Sequence, residues 1–372
     1  MKKIIYTISK LSNYGGMERI LTEKANYLSD YFDITIITIN HGGVFAYFLD
    51  KRIKHFDLEI KYQERWNITN ISHIANYLKL RVLHKNKLQD LVNKILPDFI
   101  VTLGSGDASL IPKIKTNAKI FWECHFGRHY FISDAFNANQ KFTTKIFRYI
   151  INYFRDNLAK KYDKLIVLTE EDSKQWKTEN LITIPNFITG NVNKQSLLTD
   201  KIAVTIGRLE KEKGYDILLD IWKVIYDKYP NWILNIYGEG SQRTLLEKKI
   251  YDLNLKNTVF LKGITNNVEE VYVNASMFLS TSLFEGFPLV VIEAISSGLP
   301  VISFDTCGSK EILKNNSGII INSYDKEAFS KAIIYLIENE NARKQIGKNS
   351  KIESGKFEKD IIMKKWIELF NE

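Results

Sequence analysis

Residues 277–305 read MFLSTSLFEGFPLVVIEAISSGLPVISFD. MFLSTS (277–282) and LPVISFD (299–305) are short apolar runs of strand length, and PLVVIEAISS (288–297) between them has the length and composition of a buried helix, with Pro288 suited to its first turn. Strand, helix, strand is the signature of a parallel sheet. In open parallel sheets ligands sit at the carboxyl ends of the strands, in the loops that lead to helix N-termini. The loop after the first run carries Glu285, and Glu293 follows with seven residues between. Eight residues at 100° each place Glu293 about 80° past two full turns, near the face of Glu285. Two carboxylates in otherwise apolar sequence can therefore line one groove. Taken alone, two such glutamates are more often a helix cap and a lysine partner.

The same alternation extends in both directions. KIIYTIS (3–9), ITIITIN (34–40), FIVTLG (99–104), KIFWEC (119–124), KLIVLT (164–169) and LITIPN (181–186) read as strands, separated by stretches of helical period. In IANYLKLRVLHKNKLQDLVNKIL (74–96), Ile74, Leu78, Leu88, Leu91, Val92 and Ile95 fall at amphipathic spacing. ITGNVNKQSLLTD (188–200) interrupts the pattern with polar and turn-forming residues. Strands resume at KIAVTIGR (201–208), WILNIYGEG (232–240), TVFLKG (258–263), the two runs above and GIIIN (318–322), with a helix over 215–229 whose Leu218, Trp222, Ile225 and Tyr229 face the sheet. The expected fold is α/β: two tandem Rossmann-like domains with parallel sheets, over 1–187 and 201–355, a linker at 188–200, and a C-terminal helical tail at 356–372.

Composition excludes several classes. With 372 residues and 45 % apolar content, the chain exceeds one typical core. Only Cys124 and Cys307 occur, far apart, so neither a disulfide framework nor a cysteine zinc site is expected, and a reducing cytoplasm fits. The apolar run after Met1 is short and meets a polar loop, which reads as a first strand and not a leader. No run approaches the roughly 18–20 apolar residues of a membrane span. The net charge of +9 lies entirely in residues 1–190, with 28 Lys+Arg against 19 Asp+Glu, while residues 191–372 balance at 24 against 24. Such asymmetry points to nucleic acid, an anionic membrane or an acidic substrate. No zinc module or aromatic RNA-binding signature supports the first.

Glu285-Gly286-Phe287-Pro288-Leu289-Val290-Val291-Ile292-Glu293 resembles the signature of the retaining glycosyltransferases of family 4, of the bacterial surface-polysaccharide type, with the GT-B fold. The resemblance implies that Glu285 and the loop Gly286, Phe287, Pro288, Leu289 and Val290 bind the transferred sugar, and that Glu293 binds the ribose. An acceptor-only carboxylate suits vicinal hydroxyls. Gly207-Arg208-Leu209-Glu210-Lys211-Glu212-Lys213-Gly214 resembles the element that places an arginine and a lysine, here Arg208 and Lys213, on the donor diphosphate. Preorganised cations there stabilise the charge that the leaving group gains. Asn13-Tyr14-Gly15-Gly16-Met17-Glu18-Arg19 is similar to the family's glycine pair, so Gly15 and Gly16 would let backbone approach the phosphates, and His125 stands where the family carries a histidine facing the donor sugar. Alone, Gly-Gly is an ordinary turn, and a histidine after an apolar strand is more often an interior residue.

The resemblance thus implies Glu285, His125, Arg208 and Lys213 as the reacting centre, residues 1–187 as the acceptor side, 201–355 as the donor domain, and the tail packing back on the first domain. It implies a transfer of hexose or N-acetylhexosamine from a UDP-sugar to a saccharide or lipid-linked saccharide. No Asp-x-Asp motif or metal-spaced His/Asp cluster occurs, so no metal or other cofactor is expected and the nucleotide sugar is the co-substrate. A UDP-sugar epimerase of the same fold and a non-catalytic nucleotide-sugar or membrane-surface binding protein are the alternatives. KFTTKIFRYIINYFRDNLAKKYDK (141–164) carries seven Lys+Arg against two Asp among aromatic residues at helical period. Such a helix either turns its aromatics to the core beneath a solvated basic face or lies on an anionic membrane. The charge split favours a protein held peripherally on the cytoplasmic face of the plasma membrane, with no nucleic-acid partner.

Overall fold

A computed structural model describes residues 1–62, 71–104, 106–128, 142–189 and 194–372. Lys141, residues 190–193 of the linker and the side chains of residues 71, 72 and 142–148 lie outside that description. The first sheet is built from β1 (Lys3–Ile8), α1 (Gly16–Leu28), β2 (Asp33–Thr38), β3 (Lys54–Asp57), α2 (Ile71–Ile95), β4 (Phe99–Thr102), β5 (Lys119–Cys124), α3 (Phe142–Ala159), β6 (Lys164–Val167), α4 (Glu170–Ser173) and β7 (Leu181–Thr183). Its seven strands are all parallel in the order β3-β2-β1-β4-β5-β6-β7. The second follows with β8 (Ile202–Ile206), α5 (Tyr215–Lys228), β9 (Ile233–Tyr237), α6 (Arg243–Asp252), β10 (Val259–Gly263), α7 (Val268–Val273), β11 (Met277–Ser280), α8 (Leu289–Ser296), β12 (Val301–Phe304), α9 (Cys307–Ile312), β13 (Gly318–Ile321), α10 (Lys326–Glu338) and α11 (Glu340–Ser354). It is also all parallel, in the order β10-β9-β8-β11-β12-β13. These are the two Rossmann-like domains with parallel sheets of a GT-B fold.

In each sheet the chain lays three strands outward and then returns to the other side of the first. The reversals fall between β1 and β4 and between β8 and β11, and open parallel sheets bind ligands at such crevices. The loops after β1, β8 and β11 hold Gly15, Lys213 and Glu285 respectively.

The strand β3 escapes the periodicity reading because it is KHFD, an edge strand of exposed and half-buried residues with no apolar run. In α2 only the C-terminal half behaves as the amphipathic spacing predicts: Leu88 and Val92 are buried, Leu91 and Ile95 pack beside them, but Ile74 and Leu78 are exposed. In α5, Leu218, Trp222 and Ile225 are fully buried as expected.

The tail forms α12 (Lys359–Asn371) and joins the core of the first domain through Ile362, Met363, Trp366, Leu369 and Phe370. The Phe370 ring lies 5.6 Å from Phe32 and 5.1 Å from Phe99, and Lys2 Nζ donates to the Phe370 carbonyl at 2.7 Å. Chain ends 368 residues apart in sequence thus close one core.

Candidate functional site

The loops at the two reversals face one another across a cleft of about 330 Å³. Gly15, Gly16, His125, Arg208, Lys213, Glu285, Gly286, Phe287, Pro288, Leu289, Val290 and Glu293 all line it, so the residues expected to bind the donor or form the reacting centre converge on a single space.

From the first domain, α1 starts at the floor of the cleft. Gly15 is its N-cap in extended conformation without a side-chain cap, and a Cβ there would overlap the Glu18 carboxylate. A Cβ on Gly16 would come within 3.2 Å of Leu289 Cδ1 in the opposite domain. The first-turn N–H groups of a helix have no intrahelical partner, which leaves them for an anion. His125 follows β5 directly, and its Nε2 lies 3.0 Å from Glu123 Oε1.

The second domain supplies charge. Lys213 Nζ is ion-paired to Glu285 Oε1 with both side chains mostly buried, at 17 % and 16 % exposure. Arg208 Nη2 pairs with Glu212 at 2.9 Å but remains 65 % exposed. Gly214 adopts φ +63°, and any side chain there would overlap the Thr281 carbonyl, so glycine permits the β8 and β11 loops to close on each other. Gly286 has a similar role across the domains, since a Cβ would overlap the carbonyl oxygen of His125. Phe287 is buried against Phe357, with ring centroids 5.5 Å apart, and Pro288 is the N-cap of α8.

Glu293 is 3 % exposed. Its Oε1 accepts from Arg19 Nη1 at 2.9 Å and from Thr189 Oγ1 at 2.7 Å, and its Oε2 accepts from Tyr272 Oη at 3.1 Å. Burial raises the pKa of this carboxyl, with Arg19, Thr189 and Tyr272 opposing the shift. With Oε1 doubly engaged and Oε2 singly, a carboxylate has room for one more strong donor, and a second requires a present partner to leave. Arg19, 25 % exposed, is the accessible partner, whereas Thr189 and Tyr272 are buried.

Arg19, Thr189 and Tyr272 went unrecognised in the sequence as partners of Glu293. Arg19 lies inside the glycine-pair motif, three residues past Gly16, but its ion pair spans 274 residues, which no local pattern discloses. Glu123 was legible in principle: residues i and i+2 of an extended strand share a face, so it accompanies His125.

Behind Phe284–Gly286 a second cavity of about 330 Å³ opens against Arg128, Gln175, Cys307 and Lys310. Among the described residues no group of three or more His, Cys, Asp or Glu could hold a metal ion, and no helix is long and apolar enough to cross a membrane. On α3, Tyr149, Tyr153 and Phe154 are exposed at 57–69 %, so they do not form a stripe facing the core. Arg155, counted within the basic face in the sequence, turns inward: it donates to the Arg128 carbonyl and its guanidinium lies 5.0 Å from the Trp176 ring.

A family model described as glycosyl transferases group 1 matches residues 191–353. A glycosyltransferase of Haemophilus influenzae is 29 % identical over 380 residues, covering 98 % of this chain and 99 % of its own. An alpha-1,4-N-acetyl-D-galactosaminyltransferase of Campylobacter jejuni, whose name specifies a PP-undecaprenol-linked saccharide, is 27 % identical and covers 100 % of this chain and 99 % of its own. Among solved structures, a mutant of Staphylococcus aureus TarM, crystallised with Fondaparinux, alpha-GlcNAc-glycerol and UDP, superposes with a TM-score of 0.77 at 20 % identity, covering all of both chains.

Proposed function

We propose that this chain, a glycosyltransferase of the group 1 family through residues 191–353, moves a hexose or N-acetylhexosamine from a UDP-sugar, with retention of configuration, to a saccharide or lipid-linked saccharide in bacterial surface-polysaccharide synthesis. The observation that carries this reading is the convergence of Glu285, Glu293, Arg208, Lys213, Gly15, Gly16 and His125 on one cleft between two parallel sheets. UDP and the lipid-linked acceptor are taken from what similar proteins are named for or were crystallised with.

The charges in the cleft suit an exchange of partners. The diphosphate takes Lys213 from Glu285 and Arg208 from Glu212, and the freed Glu285 receives hydroxyls of the transferred sugar. Glu293 accepts from the ribose, with Arg19 giving way. Lys213, Arg208 and the start of α1 then oppose the negative charge that grows on the leaving diphosphate. The bond from the anomeric carbon to the diphosphate oxygen breaks, a bond to the acceptor oxygen forms on the same face, and the acceptor proton passes to the leaving phosphate oxygen. In the free protein each carboxylate lining the cleft is paired with a cation: Glu212 with Arg208, Glu285 with Lys213 and Glu293 with Arg19. Once the donor has taken these cations, Glu285 is engaged by hydroxyls of the sugar and Glu293 by the ribose, which favours front-face attack over a covalent glycosyl-enzyme, and charge neutralisation by side chains makes the reaction metal-independent.

The first domain is the acceptor side and docks on the cytoplasmic leaflet. Supporting this, α2 and α3 pack on the same side of the first sheet and present Ile74, Leu78 and Val82, and Tyr149, Tyr153 and Phe154, to solvent, with Lys79, Lys160 and Lys161 exposed nearby in sequence. Apolar side chains among lysines are what an interfacial helix offers an anionic surface.

Thermal-shift titration with UDP-, GDP- and ADP-sugars tests the donor. Stabilisation by UDP-hexoses or UDP-N-acetylhexosamines is expected, and stabilisation by GDP-sugars alone would overturn the UDP assignment.

A further inference from the structure

We propose that Glu123 is a positioning residue for the transfer: it fixes the ring of His125 in the tautomer that carries its proton on Nε2, so that Nδ1 is held ready to accept a hydrogen bond from a hydroxyl of the transferred sugar. This inference rests on the reading of the cleft as a sugar-nucleotide site.

Three buried groups carry it. His125 lines the cleft, and its Nε2 lies 3.0 Å from Glu123 Oε1. Glu123 is 1 % exposed, and its other oxygen, Oε2, is ion-paired to Lys24 Nζ on α1. Lys24 is 0 % exposed, with its ammonium 3.9 Å from the Trp366 ring of α12 and 5.2 Å from the Tyr6 ring of β1. Buried on all sides, the two oxygens of Glu123 therefore have distinct tasks, one toward Lys24 and one toward His125.

The tautomer follows from chemistry. An ionised carboxylate only accepts, so the imidazole nitrogen facing it must donate, and in the neutral ring the other nitrogen is then the acceptor. Burial opposes the charge on Glu123, but the Lys24 ammonium and the hydrogen bond from the His125 ring hold the carboxyl below the usual glutamate range. Among the described residues Nδ1 of His125 has no hydrogen-bond partner, which leaves it for a ligand in the cleft.

A structural role alone explains the arrangement poorly. Apolar residues of similar volume would fill the interior about as well, because the desolvation of a buried ion pair largely offsets its attraction. What they could not do is present a fixed acceptor to a ring at the cleft wall. Lys24 is then the counter-charge that keeps the acceptor ionised, and Trp366 seals it from water.

The experiment compares Lys24→Met/Glu123→Leu with Lys24→Met/Glu123→Gln. Both remove the buried charges together, but only the glutamine retains an oxygen that can accept from Nε2–H. UDP release from UDP-glucose and from UDP-N-acetylglucosamine is followed, with KM read separately from kcat. The leucine variant should lose about ten- to a hundredfold in kcat at nearly unchanged KM, the range seen when a carboxylate that orients a metal-bound histidine is removed. The glutamine variant should recover most of that loss. A folded leucine variant with wild-type kcat, or equal losses in both variants, would overturn the proposal. Independently of turnover, selective 15N labelling of the six histidines, with His125 assigned through His125→Asn, should show a bare Nδ1 and a protonated Nε2 in the wild type. An Nδ1–H ring overturns the inference whether or not the protein turns over sugar nucleotides. Absence of UDP release from wild type beside the expected Nε2–H ring would instead count against the functional reading alone.

Discussion

Replacing Glu293 by glutamine should weaken nucleotide binding while sparing both fold and chemistry. The amide oxygen can stay toward Arg19 and Thr189, and its NH2 can turn to Tyr272, whose hydroxyl already lies 3.2 Å from the Val290 carbonyl and can donate there while it accepts. Arg19 retains Glu23 at 3.4 Å. The interior thus remains satisfied, and a small change in melting temperature is expected. The ribose loses a hydrogen bond to a charged group, which contributes about 1.5–3 kcal/mol. At 1.4 kcal/mol per decade this is roughly a 10- to 150-fold rise in the Kd of UDP. Calorimetric titration with UDP, alongside KM and kcat for the sugar nucleotide, reads it: Kd and KM should rise together while kcat changes by less than a few-fold. Glu285→Gln should do the reverse, depressing kcat with little change in UDP affinity, because its contact is with the reacting sugar. An unchanged Kd in Glu293→Gln, or equal losses of UDP affinity in both variants, would refute the division of roles.

Gly286→Ala should fold, with unchanged far-UV circular dichroism, yet lose about tenfold or more in turnover, because the new methyl group displaces the His125 carbonyl at the cleft wall. Burial raises the folded pKa of Glu293 above its unfolded value, so its ionised form, which the ribose needs, is lost at a higher pH than for a free glutamate. UDP affinity should accordingly weaken as pH falls toward that raised value, and the part of the decline due to Glu293 should be missing in Glu293→Gln; identical pH profiles would contradict this. Glu123 is shifted the other way, so its stabilisation is present above the usual glutamate pKa of 4.5 and fades as pH falls toward about 2. In acid-unfolding measurements wild type should therefore lose stability relative to Lys24→Met/Glu123→Leu below pH about 4.5. Replacing Tyr149, Tyr153 and Phe154 together by serine should release the protein from vesicles containing anionic lipid at low salt and leave UDP binding unchanged; vesicle binding equal to wild type would contradict the docking face.

The architecture was legible because both sheets are parallel. Buried on both faces, strands such as Ile202–Ile206 and Val301–Phe304 become apolar runs that stand out against amphipathic helices. The edge strand Lys54–Asp57 has no such burial and left no mark. In the cleft, the sequence disclosed residues in short motifs, Glu285 to Glu293 and Gly207 to Gly214, because loop and helix-start geometry is local. It did not disclose their partners. Arg19 with Glu293, and Lys24 with Glu123, meet only after two sheets and a returning C-terminal helix are assembled, across separations of 274 and 99 residues. The segment 141–164 shows a different limit: composition identified an amphipathic helix, but could not say that Tyr149, Tyr153 and Phe154 face outward while Arg155 is turned in beneath them.

The stereochemistry of transfer tests the central claim most directly. With UDP-glucose or UDP-N-acetylglucosamine as donor and methanol in excess as a surrogate nucleophile, the product is a methyl glycoside, which cannot mutarotate, and proton NMR reads its anomeric configuration. Front-face transfer between the two sheets, with the diphosphate held by Lys213 and Arg208, predicts the α-glycoside; formation of the β-glycoside would contradict it.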